Sequence, residues 1–232
     1  VPAAARPKVA ERVATSLRRA IVEGRFRPGD ALPSERELAD KYDVNRSSIR
    51  EAMKRLEAWG LVHIRHGGAT RVSDFFLSAG LEIVPYLVEV GAKVDPGILR
   101  DLHELRGLLL GWCAEQAARK ADPASVGRLE EIARRLDDEK ARRAALQELD
   151  YDFFQALVAI SGNRILALLS NVIREIYLKN KDRFAALYAK DVFNPSHHRR
   201  AVAAIRARDP LAAGNAMRAH AASALRTVKE DA

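Results

Sequence analysis

Between Ser34 and Val72 the chain carries helix starts, stops and turns so closely spaced that only short, tightly joined elements fit. Ser34 is placed to cap a helix over "PSERELADKY", and Glu37, three residues on, is placed to return the bond. After the turn "YDVN", Asn45 is placed to cap another helix, whose Ile49, Met53 and Leu56 follow the i, i+4, i+7 rule. "LVHIR" and "TRVS" alternate like strands around "HGGA", which predicts a small hairpin. Ahead of this stretch, residues 8–23 align Val9, Val13, Leu17 and Ile21 as a helical stripe, stopped by Gly24 and the turn "RPGD".

Three helices, a tight turn between the second and third, and a two-stranded wing describe a winged helix-turn-helix, whose third helix enters the major groove of DNA. The charges agree. Opposite the Ile49/Met53/Leu56 stripe, Arg46, Arg50 and Lys54 recur every four residues as one cationic face. The small Ser47 and Ser48 let the helix N-terminus, with its free amides, come close to phosphate. Alone, such a stripe is more often a solvated face; the ordered conjunction of capped helix, turn, capped basic helix and glycine-tipped hairpin favours DNA. Residues 1–74 carry 15 Lys and Arg against 10 Asp and Glu, while the remainder carry 24 against 21, so most of the net charge of +8 lies in the first third.

From residue 75 the pattern is almost wholly helical. A connecting segment "DFFLSAGLEIVPYLVEVG" precedes amphipathic runs near 97–120, 124–142, 145–160, 164–190, 196–207 and 210–228. Breaks fall at Pro96, "ADP", "SGN", "NPS" and "RDP". The expected fold class is mainly α: an N-terminal winged helix-turn-helix with a small β-hairpin wing, and a C-terminal antiparallel α-helical bundle. The expected division is 1–74 for DNA binding, 75–95 as connection, and 96–232 for effector binding and dimerisation. The single cysteine, Cys113, falls in the apolar run "LLLGWCAEQAA" and reads as core, in a reducing compartment. No apolar run reaches membrane-span length and "VPAAARP" is too short and polar for a signal peptide, so a cytoplasmic protein with no membrane partner is expected.

The segment "GRFRPGDALPSERELADKYDVNRSSIREAMKRLEAWGLVHIRHGGATRV" resembles the GntR-type DNA-binding domain across about 50 contiguous residues. The resemblance implies DNA contacts from Arg36 at the start of the second helix, from Asn45, Arg46, Ser47, Ser48 and Arg50 around the third, and from His66 and Gly67 at the wing tip. It also implies a homodimer on a short palindromic operator.

The helical half resembles the effector (FCD) domain of the FadR-like subfamily of that group, many members of which hold a divalent metal with one Asp and three His. Matching "LDYDFFQALVAISGN", "HHRRAVAAI" and "AMRAH" to that pattern places Asp150, His198 and His220 at ligand positions for Zn or Ni, with Phe154 where a further His is usual. Arg106, in "LHELRGLLL", matches an arginine that often faces a carboxylate ligand. The fatty acyl-CoA-responsive regulator that gives the subfamily its name also lacks the metal, and it resembles this chain in "SGNRILALLSNVIREIY", including Asn171 and Tyr177. Effector-site candidates are therefore Arg106, Phe154, Asn171 and Tyr177.

The expected function is a ligand-responsive transcription regulator that binds operator DNA as a dimer, with the family resemblance implying a repressor while the sequence leaves repression or activation open, and that responds to a small molecule in the helical half, either an acyl-CoA or a carboxylic acid held through a metal. No cofactor is required in the first case. Two other readings stand beside it. Asp150, His198 and His220 could serve an enzyme as an open metal site, although no pattern places a general base beside them. A ligand-free bundle on an architectural DNA binder is the third.

Overall fold

A computed structural model of the chain describes residues 9–65, 68–88, 96–138, 143–179 and 193–230. It divides into two compact units, Val1–Lys93 and Val94–Ala232. The first holds the winged helix-turn-helix and the second the helical bundle, as the hydrophobic periodicity predicts.

In the first unit, α1 (Val9–Val22), α2 (Glu35–Tyr42) and α3 (Arg46–Ala58) enclose a core that includes Leu17, Ile21, Leu38, Ile49 and Leu56. Both expected caps are present. The Ser34 amide donates to Glu37 Oε2 at 2.8 Å while the Glu37 amide donates to Ser34 Oγ at 3.3 Å, and the Ser48 amide donates to Asn45 Oδ1 at 2.8 Å. Asp43 closes α2 in the left-handed region at φ 51°, which turns the chain sharply into α3. Strands β1 (Val62–His63) and β2 (Arg71–Val72) pair antiparallel, Val62 opposite Val72.

The stripe on α1 differs from its expectation in one place. Val9 is 43% exposed, and Ala10, Val13, Leu17 and Ile21 make the buried face. At 3.6 residues per turn each i+4 step drifts by about 40°, so the first member of a strict i+4 series has rotated off the face its last member shares.

The segment after the wing carries structure of its own. Asp74 caps α4 (Phe75–Ser78), its Oδ1 accepting from the Phe76 amide at 3.2 Å; a 3-10 turn (Leu81–Ile83) leads into α5 (Val84–Val88). Ser78 Oγ donates to the Gly60 carbonyl at 2.7 Å. Gly60 has φ +69° and lies so close to the Ser78 backbone that a Cβ there would sit 2.3 Å from the Ser78 carbonyl oxygen, which fixes glycine at this position. Arg18, buried on α1, sets its guanidinium carbon 3.2 Å from the ring centroid of Tyr86 on α5 and 5.1 Å from that of Trp59.

The second unit comprises α6 (Pro96–Lys120), α7 (Pro123–Leu136), α8 (Arg143–Ser161), α9 (Arg164–Lys179), α10 (Ser196–Arg206) and α11 (Pro210–Glu230). Helices α6 and α11 pack antiparallel: Gly107 faces Ala221, Gly111 faces Arg218, and Gly214 faces Glu115. Arg218 Nη1 donates to Glu115 Oε1 at 2.9 Å across that seam. The core gathers Cys113, Leu129, Leu136, Phe153, Leu157, Ile205 and Met217. Burial pushes the Cys113 thiol up to about 12, so it is an inert packing group. No described helix is long and apolar enough to cross a membrane.

Candidate functional site

Burial of Ile49, Ala52, Met53 and Leu56 fixes which face of α3 turns outward. Arg46, Arg50 and Lys54 lie exposed on it, Ser47 and Asn45 are exposed at its N-terminus, and Ser48 is half-buried with its amide in the cap. Arg36 is exposed on α2. Arg50 Nε donates to Glu35 Oε2 at 2.8 Å, which ties α3 to the start of α2 and holds the guanidinium near the helix N-terminus. His66 and Gly67 lie outside the described residues.

The second site forms where four helices of the bundle meet. Asp150 on α8, His198 on α10 and His220 on α11 are each at most 3% exposed, and their ligand atoms lie within 4.8 Å of one another. Arg106, one side of α6, completes the cluster. His198 Nε2 lies 2.9 Å and His220 Nε2 3.0 Å from Asp150 Oδ1, while Arg106 Nη2 pairs with Asp150 Oδ2. A carboxylate only accepts, so His198 carries its proton on Nε2; His220 Nε2 also lies 3.5 Å from Arg106 Nη2, and Nδ1 of each ring is left buried without a partner among the described residues. Phe153 stacks edge-on against His198 with centroids 4.8 Å apart, and Phe193 lies 5.7 Å from His198 and 5.8 Å from His220.

Burial works against ionising Asp150, yet the Arg106 charge and the bonds from His198 and His220 hold its carboxyl well below the usual range. His220 is pushed down to about 4 by burial, against the pull of Asp150, and is neutral at neutral pH. The Asp150 anion is thus balanced by the Arg106 cation, with His220 neutral beside them.

A divalent ion suits one carboxylate and two imidazoles. The spacings of 2.9 and 3.0 Å match the edge of about 3.0 Å between neighbouring ligands that each lie about 2.1 Å from an octahedral ion. The donors therefore fit a metal in type and spacing. Holding it would require Arg106 to leave the carboxylate and the His198 Nε2 proton to move to an Nδ1 that has no acceptor among the described residues, so the fit is to a weakly held ion.

Residues 9–72 match the family model for bacterial regulatory proteins of the gntR family, and residues 101–223 match the FCD domain. The chain belongs to the gntR family. It is 33% identical over 211 residues to the HTH-type transcriptional regulator Mce2R of Mycobacterium tuberculosis, an alignment covering 91% of this chain and 88% of that one. It is 31% identical over 159 residues to the fatty acid metabolism regulator protein of Cronobacter sakazakii, covering 68% of this chain and 65% of that one. A solved structure described by the words "Lar controls the expression of the Listeria monocytogenes agr system and mediates virulence" aligns with 98% of this chain and 99% of that one, with a TM-score of 0.61 and 14% identity, a likeness of fold. This gntR-family chain is thus a DNA-binding transcription regulator.

Of the residues the sequence singled out in the bundle, Asp150, His198, His220 and Arg106 come together. Phe154 is buried one turn after Asp150, with its ring edge-on to Tyr151 at a centroid distance of 6.3 Å. Asn171 lies exposed on α9, and the side chain of Tyr177 is outside the described residues. Sequence reasoning passed over His103, buried on α6 one turn before Arg106, and Phe153 and Phe193, the rings against the imidazoles. The i, i+3 spacing of His103 and Arg106 was the one available signal for the first.

Proposed function

We propose that two copies of this regulator bind a short palindromic operator, and that a small molecule with an acyl or carboxylate head, bound at the Asp150 cluster, changes their affinity for it. A single α3 reads one half-site, so a palindrome calls for two-fold symmetry. Arg46 and Arg50 meet base edges and phosphates in the major groove, and Arg36, Asn45, Ser47 and Ser48 anchor the backbone. His66 and Gly67 take the adjoining groove at the wing tip.

The observation that carries the effector reading is the buried ion pair of Arg106 and Asp150 with two histidines on one carboxylate oxygen. A guanidinium already desolvated inside the bundle meets an incoming oxyanion without a new desolvation cost. A fatty acyl group is favoured as the body of the ligand by the rings of Phe153 and Phe193 against the cluster, by the buried ring of Phe154 one turn after Asp150, and by the name of the 31%-identical relative, a fatty acid metabolism regulator protein. Regulation needs only that the ligand bind the DNA-competent and DNA-incompetent states unequally.

A second reading is favoured by the convergence of Asp150, His198 and His220: a small carboxylic acid sensed through a divalent metal on those donors. When bound, the metal would supply a Lewis-acidic position for the acid's oxygens. Operator-bound protein titrated with palmitoyl-CoA, palmitate, or citrate with and without Zn²⁺, and followed by fluorescence anisotropy, separates the readings. Release by palmitoyl-CoA or palmitate alone supports the acyl ligand, and release only by citrate with Zn²⁺ supports the metal.

A further inference from the structure

We infer that His103 is a ligand-contacting residue of the effector site, its imidazole meeting an oxygen of the acyl or carboxylate head beside Arg106. The inference rests on the reading that a ligand of this class binds at the Asp150 cluster.

His103 is 6% exposed, and neither ring nitrogen has a hydrogen-bond partner among the described residues. Buried polar groups in native proteins are almost always paired, so an imidazole with both nitrogens unpaired calls for a missing partner. The cluster as it stands does not supply one: His198, His220 and Arg106 gather on Asp150, and neither nitrogen of His103 bonds to any of them. The buried positions that follow on α6 are Leu110, Cys113, Ala114, Ala117 and Ala118, so a histidine stands out on a face otherwise built from apolar groups.

Position and charge state point the same way. His103 and Arg106 are three residues apart and share a helix face, so one small head group can reach both. His103 is not among the donors that lie within 4.8 Å of one another, so it stands apart from the three that converge. Burial, then the Arg106 charge, push its pKa down to about 3, so at neutral pH it offers one N–H and one lone pair. A neutral donor beside a fixed cation suits a singly charged carboxylate or the carbonyl of a thioester.

Calorimetry on the full chain tests this, with His103→Phe, His103→Gln and wild type each titrated with palmitoyl-CoA, palmitate and citrate. The probe that binds wild type should bind His103→Phe about tenfold more weakly. His103→Gln, which keeps a donor and an acceptor, should recover most of the affinity, and the ring ¹⁵N resonances of His103 should shift on saturation. A purely structural role predicts otherwise: His103→Phe removes two unpaired polar atoms, should melt no lower than wild type, and would bind the probe as wild type does. That result, or ring resonances that do not move, overturns the inference. If His103→Phe does not fold, the Gln variant and the resonances decide. Wild type that binds none of the probes defeats the ligand reading itself and the inference with it, an outcome distinct from a variant that matches a binding wild type.

Discussion

The guanidinium of Arg106 and the carboxylate of Asp150 pair across 44 positions of sequence, joining α6 to α8 inside the bundle. Asp150 is 2% exposed and Arg106's side chain 20%, so neither charge has water enough to stand alone.

Removing one partner should therefore cost far more than removing both. Asp150→Leu leaves a desolvated guanidinium and two imidazoles without an acceptor, and should lose about 3–5 kcal/mol of stability. Arg106→Leu with Asp150→Leu should lose less than Asp150→Leu alone. Urea denaturation of the two proteins measures this, and equal losses would mean that the pair is not coupled.

Acid should destabilise the helical unit before any carboxylate titrates. An unfolded imidazole takes a proton near 6.5, whereas folded His220 resists until about 4 and folded His103 until about 3. In that window the unfolded chain binds more protons, so stability falls as pH drops. Asp150, held below its ordinary 3.8, adds a loss at still lower pH. Melting temperature against pH should show the upper slope, and His103→Phe should flatten it; an unchanged slope would contradict the account of His103 as a buried neutral imidazole.

Arg46→Ala and Arg50→Ala should each weaken specific operator binding by about 1–3 kcal/mol while the melting temperature holds. Both side chains are exposed, and the Arg50 pair with Glu35 is a surface contact worth little to folding. Arg36, Arg46 and Arg50 from two protomers would release counterions from six phosphates, for a log–log salt slope of about −5. A flat salt plot would remove phosphate contacts from the account.

Phe154→His should bind Zn²⁺ markedly tighter than wild type, since position 154 lies one helical turn from Asp150 and adds a third imidazole to the set. Competition with a chelating dye gives both affinities. Equal values would show that this position does not reach the donors.

The caps at Ser34 and Asn45 and the stripe of Ile49, Met53 and Leu56 were legible because each signal is local and repeats at a helical period. The convergence of Asp150, His198 and His220 is spread over three helices, and only the family pattern brought it within reach. His103 was not legible, since a single histidine amid "LHELR" has no period and its burial depends on how α6 meets its neighbours. The same holds for Arg18, a charged residue that sequence places on a surface and that packing sets against Tyr86 and Trp59. The short helices α4 and α5 were hidden in "DFFLSAGLEIVPYLVEVG", where apolar residues run without a polar alternation to fix a face.

The central claim is that a ligand at the Asp150 cluster controls operator binding by this regulator. Its most direct test is the anisotropy of a labelled operator held by wild type and by Arg106→Leu while palmitoyl-CoA and palmitate are titrated. The account predicts a ligand-dependent change in operator affinity for wild type, lost or shifted to about tenfold higher ligand in the variant. A change of equal size at equal ligand concentration in both proteins would contradict it.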